Sequence, residues 1–366
     1  MSRAFPDARL TVDLGALTAN WRWLATRAAP ARCGAAVKAD GYGLGAREVA
    51  VALARAGCTD FFVAHATEGV ALRSAVPDAA IYVLHGAAEG QEGLLRAYGL
   101  IPALSTPGQV LRWRESGGGP AVLQLDTGMN RLGLDAGHVA RLAGEADWPR
   151  GIEVKLVMSH LACADEPDHP MNAAQKQSFD RLRAMLPAAP ASLANSAGSL
   201  LGPGYTYDLV RPGIGLYGAD PLADGVEAAP RHLRQVVHLE ARILQVRHVD
   251  AGAAVGYGAT HRVGGSARIA TVPVGYADGF LRAFSSNFTA RIGGHDAPLV
   301  GRVSMDLITL DISAVPAELA HEGAWVDLLG GPLDLRQAAR RAGTIEYELL
   351  TRLGNRLPRH YTGGRA

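Results

Sequence analysis

What most constrains this chain is a rhythm that begins near residue 33: a short apolar run, a turn, an amphipathic stretch, then the same again. The apolar runs are CGAAVK (33–38), FFVAH (61–65), IYVLH (81–85), IPALS (101–105), AVLQLD (121–126), IEVKLVMSH (152–160), ASLANS (191–196) and YDLVR (207–211). Ala/Leu/Arg-rich segments of helical length, such as AREVAVALARAG (46–57) and NAAQKQSFDRLRAML (172–186), lie between most of them. Strand then helix, eight times over, predicts an N-terminal (β/α)8 TIM-type barrel. A doubly wound α/β sheet is the alternative, and periodicity alone does not separate the two.

After about residue 230 the texture changes. RQVVHLEARILQVRHV, ARIATVPVGY, APLVGRVSMDLITLDI and AWVDLLG follow one another with turn residues between them, and helical stretches are nearly absent until DLRQAARRAG. A C-terminal, mostly-β domain is expected, which divides the chain into 1–230 and 231–366, with ADPLADGVEAAPR (219–231) as the link. A length of 366 residues suits two domains. No solenoid-period repeat or low-complexity tract interrupts this plan.

Composition removes several function classes. The formal net charge is +1, without the Lys/Arg surplus that a nucleic-acid or anionic-membrane binder needs. Three cysteines (Cys33, Cys58, Cys163) and no C-x-x-C pair argue against a disulfide framework or a cysteine-rich zinc site, so no metal is expected. The N-terminus has no apolar core, and no apolar run reaches membrane-spanning length. The expectation is a soluble, cytoplasmic protein.

In a barrel, function belongs at the C-terminal ends of the strands. The residues there are Lys38, His65, His85, Ser105, Asp126 followed by Arg131, His160, Asn195 with Ser196, and Arg211. This polar, basic rim suits an anionic ligand. Only Lys38, Lys155 and Lys176 are lysine, so chemistry that needs a primary amine has three side chains to choose from. Lys38 ends an apolar strand and precedes the Gly-rich turn ADGYGLGA. A half-buried ammonium there loses solvation, and the neutral amine becomes available for Schiff-base chemistry. On spacing alone, a snorkelling surface lysine is the favoured reading.

The string AAVKADGYGLGA resembles the cofactor-lysine signature of bacterial alanine racemases, which depend on pyridoxal 5′-phosphate. Further motifs resemble that family in the same order: LDTGMNRLG (125–133), MSHLACADE (158–166), LANSAG (193–198), LVRPGIGLYG (209–218), VGYGATHR (255–262), VPVGYADG (272–279), VGRVSMDLITLD (300–311) and RLPR (356–359). The family's fold, a pyridoxal-phosphate barrel followed by a β domain, agrees with the pattern above.

The resemblance implies roles position by position. Lys38 would hold the cofactor covalently and act as one of two bases, with Tyr257 as the other. Two are needed because a planar carbanion inverts only if a proton donor stands on each face. A phenol with an ordinary pKa near ~10 is a poor base, and His160 and Arg211 would supply the positive surroundings that lower it. Arg211 would also face the pyridine nitrogen. Tyr42, Asn195, Ser196, Gly213 and Ile214 would complete the cofactor site, with Ser196, Tyr42 and the Gly213 and Ile214 amides on the phosphate. Arg131, Met305 and Asp306 would contact the substrate. In the family, Tyr257, Met305 and Asp306 come from a second subunit, so a homodimer with shared sites is implied, as is D-alanine supply for peptidoglycan.

Two positions depart from the family pattern. Gln124 stands where many members carry a lysine, often carbamylated, that pairs with the substrate-binding Arg; a glutamine can still hydrogen-bond Arg131 but brings no charge. Asn355 stands where some members have a tyrosine, and the smaller side chain could admit serine. A racemase preferring serine or another small amino acid, a decarboxylase of the same fold, and a non-catalytic cofactor carrier are the competing readings. The three cysteines all precede residue 231, against a decarboxylase with a catalytic β-domain cysteine, and the β domain itself argues against a carrier. GIGLYG (213–218) fits a dinucleotide fingerprint only formally, since Pro212 and Pro221 flank it. HLACADEPDH (160–169) lacks zinc spacing.

Overall fold

The computed structural model describes residues 7–223, 225–226 and 233–364. They form two compact units, Leu17–Arg234 and Met1–Ala16 with Gln235–Ala366. The first strand, β1 (Ala8–Asp13), belongs to the second of these.

The barrel unit begins with two short strands, β2 (Arg32–Cys33) and β3 (Ala35–Ala36), which together form one interrupted staff. It continues through β4 (Asp60–Val63), β5 (Ala80–Val83), β6 (Leu100–Leu104), β7 (Gly119–Gln124), β8 (Ile152–Met158), β9 (Ala191–Ser192) and β10 (Leu209–Val210). From β3 to β9 the strands are parallel neighbours in chain order. Closure runs through β10, which pairs with β2 and whose flanking amides bond β9's segment: Arg211 N–H donates to Ala194 O at 2.9 Å, and Asp208 N–H to Ala191 O at 3.0 Å. On the other side, Ala36 N–H donates to Pro212 O at 2.9 Å. A doubly wound sheet would reverse its strand order at a switch point; this sheet never reverses and closes into an eight-staved barrel.

The strands read as unbroken apolar runs because both faces are covered, and all four residues of β4 are buried. Helix α1 (Leu14–Ala28) precedes the barrel, and α2 (Lys38–Tyr42), α3 (Ala46–Arg55), α4 (Ala66–Arg73), α5 (Glu92–Ala97), α6 (Pro107–Glu115), α7 (Ala136–Ala143), α8 (Pro170–Arg183) and α9 (Pro203–Thr206) fall between its strands. In α3, Val49, Ala50, Ala52 and Leu53 lie on one buried stripe. Thr106 accepts the Gln109 N–H with Pro107 in the first turn, so α6 starts where a proline and a cap dictate.

The β unit holds β1 with β11 (Val237–Arg242), β12 (Gln245–Val249), β13 (Ala254–Val255), β14 (His261–Arg262), β15 (Ala267–Val272), β16 (Thr289–Ile292), β17 (His295–Pro298), β18 (Ile308–Asp311), β19 (Trp325–Gly330) and β20 (Arg359–Thr362). Its main sheet is ordered β17-β16-β19-β11-β1-β20, and β12-β15-β18 and β13-β14 form smaller ones. Helices α10 (Leu335–Ala342) and α11 (Glu346–Arg352) follow β19.

The expected division at 230/231 lies outside the described residues, and the described residues 7–16 fall in the β unit rather than in the barrel. Strand β1 sits between β11 and β20, with Leu10 and Val12 fully buried. Its alternation buries one face in an antiparallel pair, and no barrel stave is left for it to fill.

Candidate active site

The site in the barrel unit starts from an unusual turn. Immediately after Lys38, Ala39, Asp40, Gly41 and Tyr42 all take left-handed backbone angles, with φ of 53°, 54°, 62° and 57°. Each non-glycine residue there costs roughly 1–2 kcal/mol, so three among four consecutive residues persist only when their surroundings hold them. Asp40 Oδ1 accepts the Ala46 N–H at 2.9 Å, and Glu68 Oε1 accepts the Ala39 N–H at 2.7 Å. The turn aims Lys38 into the barrel mouth. Burial, and next the Arg131 guanidinium, push the Lys38 amine below its ordinary range, while Glu68 opposes them.

At the end of the adjoining stave, β10, stands Arg211, buried, whose two terminal nitrogens are held by Ser192 Oγ and by Ser159 O, the latter at 2.6 Å. Desolvation lowers its pKa to about 10, which leaves it charged near neutrality. His160 Nδ1 lies 3.4 Å from Arg211 Nη2. A guanidinium can only donate, so Nδ1 accepts and the ring proton stays on Nε2. Burial, then Arg211, Arg131 and Lys38, drive the His160 pKa down to about 3. This corrects one expected role: near neutrality His160 carries no charge, and the positive field is that of Arg211.

The residues expected on the phosphate, Ser196, Gly213, Ile214 and Tyr42, lie together. Ser196 Oγ accepts the Gly213 N–H at 2.8 Å and the Gly215 N–H at 3.2 Å. The Ile214 N–H, first in a short turn (Ile214–Tyr217), bonds no described residue. Tyr42 stacks on Tyr217 with ring centroids 4.5 Å apart, and a Cβ on Gly213 would lie 2.2 Å from Tyr42 Oη. Only glycine leaves this space. Asn195 Oδ1 caps the next turn through the Gly198 N–H at 2.8 Å.

Arg131 rides on the loop after β7. Asp126 Oδ1 accepts the Gly128 and Asn130 N–H groups at 2.9 and 3.1 Å and sets that loop's shape. The guanidinium is exposed and donates to no described residue, so the hydrogen bond that Gln124 could accept from it is not made. Nearby, Gln175 on α8 is buried. Its amide donates to His160 O at 2.9 Å and accepts the Ala162 N–H at 2.8 Å, pinning the segment that bears His160. Sequence reasoning missed Gln175, Ser159, Ser192 and Glu68. Of these, only Glu68, an acidic residue three positions after a strand-end histidine, left a readable trace, that of a capping box.

Within the β unit, Tyr257 sits at the tip of the β13–β14 hairpin, 72% exposed, above a core of Val255, Val263, Ile269 and Val300. Met305 is 53% exposed; its carbonyl accepts the Ala277 N–H at 3.0 Å, and its own N–H bonds no described residue. Asp306 accepts from Arg356 at 2.7 Å, and Arg356 also reaches the buried Asp278 at 3.1 Å. The RLPR motif thus ties together the loops around Tyr276 and Met305. Asn355 beside it is exposed.

A barrel with a desolvated amine and a buried guanidinium at adjoining strand ends, beside a glycine-bearing turn, defines the class: a barrel enzyme with a β-rich companion unit. The alanine racemase N-terminal domain matches residues 12–221 and the C-terminal domain residues 236–361. The chain belongs to the alanine racemase family. It is 48% identical to a catabolic alanine racemase of Mesorhizobium japonicum, over 100% of this chain and 96% of that one. It is equally 48% identical to an alanine racemase of Rhodospirillum rubrum, over 98% and 96%. The crystal structure of Bartonella henselae alanine racemase with covalently bound pyridoxal phosphate superposes with a TM-score of 0.92 at 38% identity, covering 97% of this chain and 99% of that one.

Proposed function

We propose that this chain is a pyridoxal 5′-phosphate-dependent alanine racemase, an isomerase that interconverts L- and D-alanine. The observation that carries the reading is a single desolvated lysine at the end of one barrel stave with a buried, charged arginine at the end of the next. The cradle of Tyr42, Ser196, Gly213 and Ile214 fits the cofactor's phosphate, because glycine and a free backbone N–H let an anion approach the chain closely. When bound, the cofactor supplies the electron sink that makes a substrate Cα hydrogen acidic.

The chain's own residues then divide the work. Lys38 anchors the cofactor and moves a proton at Cα from one face, its lowered pKa raising the fraction of neutral amine. Tyr257 Oη serves the opposite face. Arg211 would hold the ring-nitrogen side of the cofactor and, having no acceptor, would disfavour a proton there, which would limit how far charge leaves Cα. Arg131 and the Met305 N–H take the substrate carboxylate, with Asp306 beside them, and Asn195 shapes the turn behind Ser196.

The exposure of Tyr257 and Met305, a large aromatic and a long apolar side chain, supports a homodimer in which a second copy provides them. Among the described residues no helix is long and apolar enough to cross a membrane, and we place the enzyme in the cytoplasm, supplying D-alanine for peptidoglycan. Deletion of the gene should then leave growth dependent on D-alanine, and growth without it would assign the chain to alanine breakdown instead.

The deciding experiment offers L-alanine and L-serine separately in deuterated water with pyridoxal phosphate and follows Cα exchange and chirality. Exchange with appearance of D-alanine is expected. Cofactor binding with neither exchange nor inversion of L-alanine would sink the reading, and faster turnover of serine would replace the substrate.

A further inference from the structure

We propose that Glu68 is the positioning residue for Lys38: its carboxylate ties the strained turn that follows the lysine to the end of the neighbouring strand. Glu68 lies in the first turn of α4, and one oxygen behaves as a helix cap does. Oε2 accepts the N–H groups of Ala64 and His65 at 2.7 and 3.1 Å. A cap needs nothing more. The second oxygen leaves the helix altogether and accepts the Ala39 N–H at 2.7 Å, 29 residues earlier in the chain. Ala39 is the first of the four left-handed residues, and it adjoins the lysine itself. One side chain therefore fixes the entry to the turn and places a negative charge at Lys38.

The charge matters because the other groups around Lys38 oppose its ammonium. Arg131 and burial lower the lysine's pKa, and Lys38 in turn weighs on His160 and His85. Glu68 raises Lys38, and it raises His85, whose ring meets that of His65 edge-on with centroids 4.3 Å apart. Glu68 is thus the group among these that keeps the amine from becoming neutral too early as well as holding its backbone. A pure helix cap would do neither. This inference rests on the role of Lys38 in the proposed function but is read without activity.

The chain's three lysines make the test direct. In the full-length protein freed of cofactor, trinitrophenylation of each lysine is followed against pH by peptide mass spectrometry, with Lys155 and Lys176 as internal controls. Glu68→Gln should shift the Lys38 midpoint downward by about half a unit or more, roughly a threefold change in neutral amine at fixed pH, and leave the controls unmoved. Glu68→Asp, which keeps the charge, should restore most of the shift. Amide exchange at Ala39 should quicken about tenfold in Glu68→Ala. An unchanged Lys38 midpoint in Glu68→Gln overturns the proposal and leaves a helix cap; that variant decides the matter if Glu68→Ala does not fold. If Glu68→Gln shifts the Lys38 midpoint but the wild-type protein fails to racemise alanine, the proposed function is overturned while this inference stands.

Discussion

His160 shows how a residue can be legible in type yet misread in state. The family resemblance cast it, with Arg211, as part of the positive surroundings of Tyr257, but burial and three cationic neighbours keep it neutral. The linkage has a definite sign. An unfolded imidazole titrates near 6.5 and the folded one near 3, so between those values the unfolded chain binds a proton that the folded chain does not. Stability from this group is therefore complete above about pH 6.5 and lost progressively toward pH 3. The thermal midpoint should fall on acidification through that window, and His160→Asn, which keeps an acceptor for Arg211, should flatten the fall. An identical acid limb in the variant would refute this. The residues most visible in the sequence, Lys38, Arg131 and Arg211, were visible because their chemistry is rare at the ends of apolar strands. Ser159, Ser192 and Gln175 were not, because each acts through a backbone carbonyl, a hydroxyl or an amide that only folding brings within reach.

At the scale of elements, loop glycines hold the site's shape. Gly133 has φ of 135°, and a Cβ there would lie 2.4 Å from the Asp126 amide nitrogen and 2.5 Å from the Leu125 carbonyl carbon. Backbone atoms cannot yield as a side-chain tip can. Gly133→Ala should displace the loop that carries Arg131, raising KM for alanine about tenfold or more while cofactor absorbance is retained. An unchanged KM would show that Arg131 does not bind the carboxylate. Gly213→Ala has the complementary expectation. Its Cβ would collide with Tyr42 Oη, so cofactor affinity and thermal stability should both fall, by about 1–3 kcal/mol, as measured by cofactor titration and unfolding. The eight barrel staves were readable as elements because strands buried on both faces leave continuous apolar runs. Strand β1 was not, since six residues of alternating burial carry no mark of the partner strands they join.

For the whole molecule, the question is how many chains make one site. Tyr257→Phe should abolish inversion while Lys38 still exchanges the Cα hydrogen of one enantiomer, a loss of about a hundredfold or more in racemisation. If Tyr257 comes from a second copy, mixing that variant with Lys38→Ala should regenerate intact sites in mixed dimers, up to about a quarter of wild-type activity. No recovery on mixing, with dimers present, would place both bases in one chain. The order of strands and helices, the change from barrel to β texture, the scarcity of amines and the run of motifs were all determined by the sequence alone, because they depend on local period and residue type. Tertiary structure alone decided the rest: the closure of the barrel through Arg211 and Ala194, the neutrality of His160, the left-handed turn that Glu68 holds, and the transfer of β1 to the other unit. Each of these depends on desolvation, or on hydrogen bonds between residues far apart in the chain, and neither exists until the chain has folded.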